Sequence, residues 1–426
     1  MPSGALVQLV SKGIQDKYLI GNPTTTFFKT VYKRHTNFAI EASRQPLNGI
    51  DDFGKKLTCV LNKEGGDLIN NMYLEIVLPT INQTQQGSTW ISYSNGIANV
   101  LVKSIELEIG GVSIDRHYSE WLDIWGELNV DANYRESYDE MVGNYASDIA
   151  LEYSATSSTS YTQYRTYYMP LRFWFNRSIG NSLPLIALQY HDIKFNIELR
   201  PLSELIRSDV ILNTSSLTDT EGALLKIQSI TMWGDNIYLD KEERTHIANI
   251  PHDFIIDQVQ FNGAESLAPQ TSSETIQLDF NNPVKAIYWI LRNETYLAVN
   301  TKTGNSQIKY LGVQNSGDTF ETFKIQLDGN DRFEERYANY FRLVQSIEHS
   351  ISAPRKYIYM YSFAINAGHD QPSGTCDFSR ITSSLVNMTF DSRIHTAYGS
   401  VRLNLYAVNY NIFQIRNGMG SILFTN

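Results

Sequence analysis

The chain has 426 residues, 42% of them hydrophobic and 19% charged, with a formal net charge of −10. That length exceeds what one hydrophobic core usually supports, so two globular domains are expected, and the composition excludes a disordered chain. An acidic chain with no Lys/Arg run longer than two (Lys33-Arg34 and Lys55-Lys56 are among the densest) lacks the basic face that phosphate binding requires, so no direct nucleic-acid binding is expected. The 26 Tyr, 19 Phe and 6 Trp favour pleated, half-buried surfaces and therefore an all-β protein.

In chain order, Met1 to Gly21 shows no basic stretch followed by an apolar run and a small-residue cleavage site, so no secretory signal is expected. Short strands are predicted at Met72–Leu78, Ser104–Ile109, Ile193–Leu199, Lys226–Leu239, Thr275–Phe280 and Lys356–Ile365. Ile193, Phe195, Ile197 and Leu199 alternate with polar residues, which places them on one face of a sheet. Asn48-Gly49, Gly65-Gly66, Gly110-Gly111, Asn262-Gly263 and Asp328-Gly329 read as turns between strands, a pattern of sandwiches or barrels. Two helices are predicted. Asp115–Asn129 carries Tyr118, Leu122, Trp125 and Leu128 near helical spacing, and Lys241–Asn249 follows the N-cap Asp240 and stops before Pro251. The second is short, polar and central, which marks it as the linker. Asp131–Gln163 and Asn293–Glu321 read as long exposed loops. No run approaches the ~20 apolar residues that span a bilayer. Cys59 and Cys376 are far apart and outside any CxxC, so disulfides are not expected to stabilise the fold, and a reducing cytosolic setting fits.

An internal repeat gives the domain plan. Phe38-Ala39-Ile40-Glu41 leading to Leu47-Asn48-Gly49 is paralleled by Phe254-Ile255-Ile256-Asp257 leading to Phe261-Asn262-Gly263. Asn70-Asn71-Met72-Tyr73 is paralleled by Asn281-Asn282-Pro283-Val284, and Glu106 to Gly111 by Lys324 to Gly329. Leu171, Phe173, Phe175 and Asn176 correspond to Tyr361, Phe363, Ile365 and Asn366. Four pairs in one order indicate two similar β-sandwiches in tandem, joined near residues 241–250.

Chemistry is hard to find. None of the eight His sits in HxH or HExxH spacing, and His246 and His252 straddle Pro251, so no metal site is expected. Asp328 to Glu335 lacks the ligand alternation of a calcium loop and reads as a turn. No nucleophile elbow or phosphate-cradling glycine loop occurs. No catalytic residue or cofactor is therefore expected. Five N-x-[ST] sequons occur, at Asn82, Asn176, Asn213, Asn293 and Asn387. Asn176 and Asn387 adjoin strand patterns and are expected to be partly buried. Asn82, Asn213 and Asn293 lie in polar loops and are the candidate glycan acceptors.

Longer stretches carry a family resemblance. Tyr18-Leu19-Ile20-Gly21-Asn22-Pro23, Thr26 to Tyr32 and Thr36-Asn37-Phe38-Ala39 resemble the N-terminal signature of major capsid proteins from nucleocytoplasmic large DNA viruses, the algal and chlorella virus branch in particular. Ile105–His117, Leu183–His191, Glu243–Phe254, Gln371–Ile381 and Asn409–Gly420 continue it to the end. It thins in Asp131 to Arg165 and in Asn293 to Glu321.

The resemblance implies two eight-stranded jelly rolls, 26–240 and 251–426, with a helical linker at 241–250. It also implies homotrimers of pseudo-hexagonal outline that tile an icosahedral shell beside neighbouring capsomers. Residues 1–25 are implied to form an arm facing the inner membrane side or minor capsid and penton proteins, in a virion assembled in the host cytoplasm. The alternative from another class is a carbohydrate-binding β-sandwich, which requires an aromatic platform or a carboxylate pair beside a cleft. A penton-type protein with a single jelly roll is disfavoured by the repeat.

Overall fold

The computed structural model describes residues 3–82, 85–144, 164–268, 271–299, 304–310, 317–390 and 400–424. They form two compact units, Met1–Asn37 and Phe38–Asn426. The first holds helix α1 (Ser3–Val10) and a single helical turn at Lys17–Ile20. Its apolar side chains, Phe27 and Phe28 among them, are exposed.

The larger unit begins with eight principal strands: β1 (Phe38–Gln45), β2 (Lys56–Val60), β3 (Leu68–Pro79), β4 (Val102–Ile109), β5 (Val112–Tyr118), β6 (Tyr164–Pro170), β7 (Ile193–Leu199) and β8 (Ser229–Leu239). They form two antiparallel sheets of order β1-β8-β3-β6 and β2-β7-β4-β5, with Leu47–Gly49 on the β2 edge. Eight more follow: β9 (His252–Leu267), β10 (Ser273–Gln277), β11 (Pro283–Asn293), β12 (Thr322–Leu327), β13 (Asn330–Asp331), β14 (Ile358–Ser362), β15 (Ser384–Thr389) and β16 (Val401–Arg416). Their orders are β9-β16-β11-β14 and β10-β15-β12-β13. Subtracting eight from each label reproduces the first pair, so the chain is a double jelly roll, as the repeat predicts.

Two of the repeated motifs occupy equivalent places in the two sandwiches. Gly110 and Gly111 (φ 62° and 83°) turn β4 into β5, and Asp328 and Gly329 (φ 48° and 77°) turn β12 into β13. Two successive left-handed residues suit a two-residue hairpin, because that turn twists with its strands. Asn71 and Asn282 both adopt positive φ, which asparagine tolerates better than most side chains.

Four local expectations are corrected. Asp115–Tyr118 is not helical but the end of β5, paired with Ser104 to Leu107, and the helix α3 starts at Ser119. The pairing wins because Asp115 and His117, two apart on a strand, turn the same way and bury together. Asn262-Gly263 does not end a strand; it is a bulge inside β9, where the register with β16 shifts between Phe261 and Ala264. β10 ends at Gln277, before the predicted Phe280. The predicted loop Asp131–Gln163 contains a helix over Arg135–Val142, and residues 145–163 of it lie outside the described residues.

The helices of this unit are few: α2 (Ile97–Leu101), α3 (Ser119–Asn129), α4 (Arg135–Val142) and α5 (Lys241–Asn249) lead. α5 has the predicted bounds. The Asp240 carboxylate accepts a hydrogen bond from the Glu243 N–H at 3.0 Å, and Ile250 is extended ahead of Pro251.

The inner strands β11 and β16 of the sheet β9-β16-β11-β14 are buried on both faces. Along β11, Ala286, Tyr288 and Ile290 face the core shared with the first sandwich, while Ile287, Trp289 and Leu291 face the core of the second. β16 splits likewise, with Tyr406 and Val408 on one side and Leu403, Leu405 and Ala407 on the other. A strand buried on both faces reads as a continuous apolar run, which explains the unbroken Ala286 to Leu291.

Candidate assembly site at the seam between the sandwiches

The seam is built largely from α3 and the strands it covers. Trp121 meets Tyr288 edge-on at 5.3 Å and Tyr406 at 6.0 Å, and Trp174 packs on Phe413 at 5.5 Å. These pairs join residues of the first sandwich to residues of the second. Aromatic contacts of this kind add to the area they bury.

The same helix turns three carboxylates inward. Glu120, Asp123 and Glu127 have the i, i+3, i+7 spacing of one helical face and are all buried. Glu120 is bridged by Arg292 of the second sandwich at 2.7 Å and by Arg200 of the first at 3.2 Å. Asp123 receives Lys356 at 2.6 Å. Glu127 receives Arg355 at 2.8 Å and Arg135 at 2.7 Å, and Arg355 also reaches Asp139 at 2.6 Å. Further along the seam, Asp257 is shared by Lys285 at 2.6 Å and by Arg177. The backbone N–H of Val259 donates to Asp115 Oδ1 at 2.9 Å, and His117 sits 2.8 Å from the other oxygen of that carboxylate, stacked on Phe173.

The electrostatics follow the partners. Burial alone would raise the Glu120 and Asp257 carboxyls, but Arg292 and Arg200 in one case, Lys285 and Arg177 in the other, hold both below the ordinary carboxylate range. Lys356 and Arg355 likewise outweigh burial at Glu127. At Asp123 burial wins: the single Lys356 does not offset it, with Glu127 nearby, and the group is pushed up. Lys285 is pulled down by burial, which Asp257, shared with Arg177, and Asp370 do not offset.

Ion pairs this deep gain little net stability against an apolar substitute, but removing one partner is costly. They demand one geometry, and so act as a positional lock between the sandwiches. Composition gave no sign of them. The signal available was the spacing of Glu120, Asp123 and Glu127, which puts all three on one side of the helix, roughly opposite the stripe of Leu122, Trp125 and Leu128.

The sequon asparagines are scattered. Asn213 is exposed, and its side-chain oxygen accepts from the Ser215 N–H at 3.2 Å. Asn82 is half-buried. Asn293 departs from its expected exposure. It ends β11 at 3% exposure and caps the following helical turn, accepting from Thr295 N–H at 2.7 Å. Asn176 is buried, and Asn387 lies half-buried inside β15. The Asp328 carboxylate accepts from the N–H groups of Thr382 and Ser383, both at 2.9 Å, as a turn-stabilising group. Among the described residues no three of His, Cys, Asp or Glu are placed to hold a metal ion. Burial pushes the Cys59 thiol up to about 12, far from reactive thiolate.

Two successive family descriptions match the two halves: "Major capsid protein N-terminus" over residues 26–240 and "Large eukaryotic DNA virus major capsid protein" over residues 243–421. The chain belongs to the major capsid proteins of large DNA viruses. It is 35% identical to the major capsid protein of Pyramimonas orientalis virus, over 99% of this chain and 100% of that one. Against that of Paramecium bursaria Chlorella virus 1 the identity is also 35%, over 100% of both. The crystal structure of the PBCV-1 capsid protein VP54 superposes with a TM-score of 0.78 at 32% identity, over 94% of this chain and 100% of that one. The Faustovirus major capsid protein shares the fold at 13% identity, with a TM-score of 0.73 over 97% and 96% of the two chains. As a major capsid protein, the chain is a structural component of the virion. The seam is then where one subunit fixes the relative placement of its two jelly rolls.

Proposed function

We propose that the chain assembles as a homotrimer whose six jelly rolls give a pseudo-hexagonal capsomer, and that these capsomers tile the facets of an icosahedral shell. The observation that carries this is the twofold recurrence of one eight-stranded topology inside one compact unit. Three copies of a body made of two similar halves approximate sixfold symmetry, so one building block meets its neighbours through near-equivalent contacts. Jelly rolls over 26–240 and 251–426, joined by 241–250, are the halves.

Exposed apolar residues supply candidate contact surface. Ile347 and Ile365, with Ile351 beside them, stand out on the second jelly roll, and Phe38 and Ile40 on the edge strand β1. An obligate trimer contact is expected to bury on the order of 2,000–5,000 Å². Residues 1–25 act as an arm toward minor capsid or penton proteins on the inner, membrane side, through exposed Leu6, Val7 and Leu9. The role is shell building without a catalytic step, and assembly takes place in the host cytoplasm. Asn213, with its exposed amide, is the sequon best placed to carry a glycan.

Native mass spectrometry or light scattering tests the trimer. The expected particle contains three 48.5 kDa chains. A stable monomer at micromolar concentration would sink the proposal.

A further inference from the structure

A cavity of about 280 Å³ lies at the seam under α3, with exposed His369 and Asp370 at its mouth. Its lining joins Trp121, Arg172, Asn176 and Arg177 of the first jelly roll to Lys285 of the second. Among the described residues, three buried hydrogen-bond donors of the residues that line it have no protein partner: Trp121 Nε1, Arg172 Nε and Asn176 Nδ2. Asn176 is 7% and Trp121 2% exposed, and a buried donor without a partner is costly. The unmatched acceptor among these residues is Asn176 Oδ1, so donors outnumber acceptors three to one.

The charges point the same way. The Arg172 guanidinium lies over the Trp125 ring, 4.0 Å from its centroid, and hydrogen-bonds Tyr138, which leaves its Nε–H for another group. No carboxylate is among the groups that act on it; burial lowers its pKa, Tyr138 opposes this and Arg177 adds repulsion. Arg177 and Lys285 divide the single Asp257 carboxylate between them. With Asp370 counted at the mouth, three cations face two carboxylates.

We propose that this cavity binds a small tetrahedral oxyanion of the phosphate class, held by Arg172 and Asn176 from one jelly roll and Lys285 from the other. A cation is disfavoured by the charge, and a neutral molecule leaves the surplus charge unmatched. Because the lining comes from both halves, the bound anion is a further tie across the seam, and it stabilises the folded chain by mass action.

The test titrates inorganic phosphate into the full chain at constant ionic strength balanced with chloride, reading calorimetric heat and melting temperature. Saturable binding is expected, with a melting temperature that rises with phosphate and not with chloride. Arg172→Gln and Asn176→Ala are each expected to weaken binding at least tenfold, while Lys103→Gln on the surface leaves it unchanged. Asn176→Ala removes only an unpartnered amide, so it decides the matter if Arg172→Gln fails to fold. Absence of saturable binding, an equal response to chloride, or full binding in Asn176→Ala would each overturn the proposal and leave ordinary water as the occupant.

Discussion

Asp257 stands between two cations, buried Lys285 and half-buried Arg177, one in each sandwich. Asp257→Ala strands both charges, and breaking a buried pair in this way costs about 3–5 kcal/mol. Urea denaturation of the variant is expected to show a midpoint lowered accordingly; a midpoint within error of the parent would show that the lock contributes nothing. The same carboxylates set the acid limit. Glu120, Glu127 and Asp257 are all held below their ordinary values, which in the unfolded chain are about 4.3 for Glu and 3.9 for Asp. Their contribution is complete above those values and is lost as pH falls through the lower folded ones. Asp123, pushed up by burial, works in the opposite sense, favouring the folded state at low pH and withdrawing that help as pH rises. Three groups against one predict a denaturation midpoint that drops below about pH 4. A midpoint unchanged between pH 6 and pH 3 contradicts it.

At the scale of elements, the two equivalent hairpins offer a controlled comparison. A Cβ on Gly110 would meet the His191 ring at 2.3 Å, whereas one on Gly329 has nothing within 4 Å. Both residues have left-handed φ, so each alanine pays about 1–2 kcal/mol of backbone strain. Gly110→Ala must also displace a ring whose Nδ1 lies 3.0 Å from the Gly420 carbonyl. Thermal denaturation is expected to rank Gly110→Ala clearly below Gly329→Ala; equal melting temperatures would mean that His191 moves freely. Trp289 gives the corresponding test of the second core. Its ring stacks on Phe323 at 4.1 Å and touches Phe341, Tyr359 and Phe320. Trp289→Ala is expected to cost about 3–5 kcal/mol, read from the denaturant midpoint.

For the molecule as a whole, the central sheet β9-β16-β11-β14 belongs to two cores at once. Neither jelly roll can lose it without exposing the apolar face of the other. Residues 38–424 are therefore expected to melt in one cooperative transition, checked by calorimetric and van't Hoff enthalpies that agree. Replacing Glu120 and Glu127 together with Gln removes charge from one side of the seam and is expected to lower or split that transition. Two separate transitions in the parent chain would show that the shared core does not couple the halves.

The sequence by itself determined what depends on local periodicity and turn chemistry. Alternation gave Ile193–Leu199 its full extent, and Asp240 and Pro251 bounded α5, because caps and prolines act through neighbouring backbone groups. The ordered repeat carried the tandem plan, and the quoted signatures carried the family. Tertiary structure alone decided the rest. Asp115–Tyr118 became a strand because a partner strand bonded it, a competition that helical spacing does not register. Asn293 was buried because β11 runs on to it. The acidic face of α3 looks like a solvated surface in sequence, and only the arrival of Arg292, Arg355 and Lys356 from more than a hundred residues away made it a buried seam. Long-range pairing of charges is a property of where the chain returns, which no local pattern encodes.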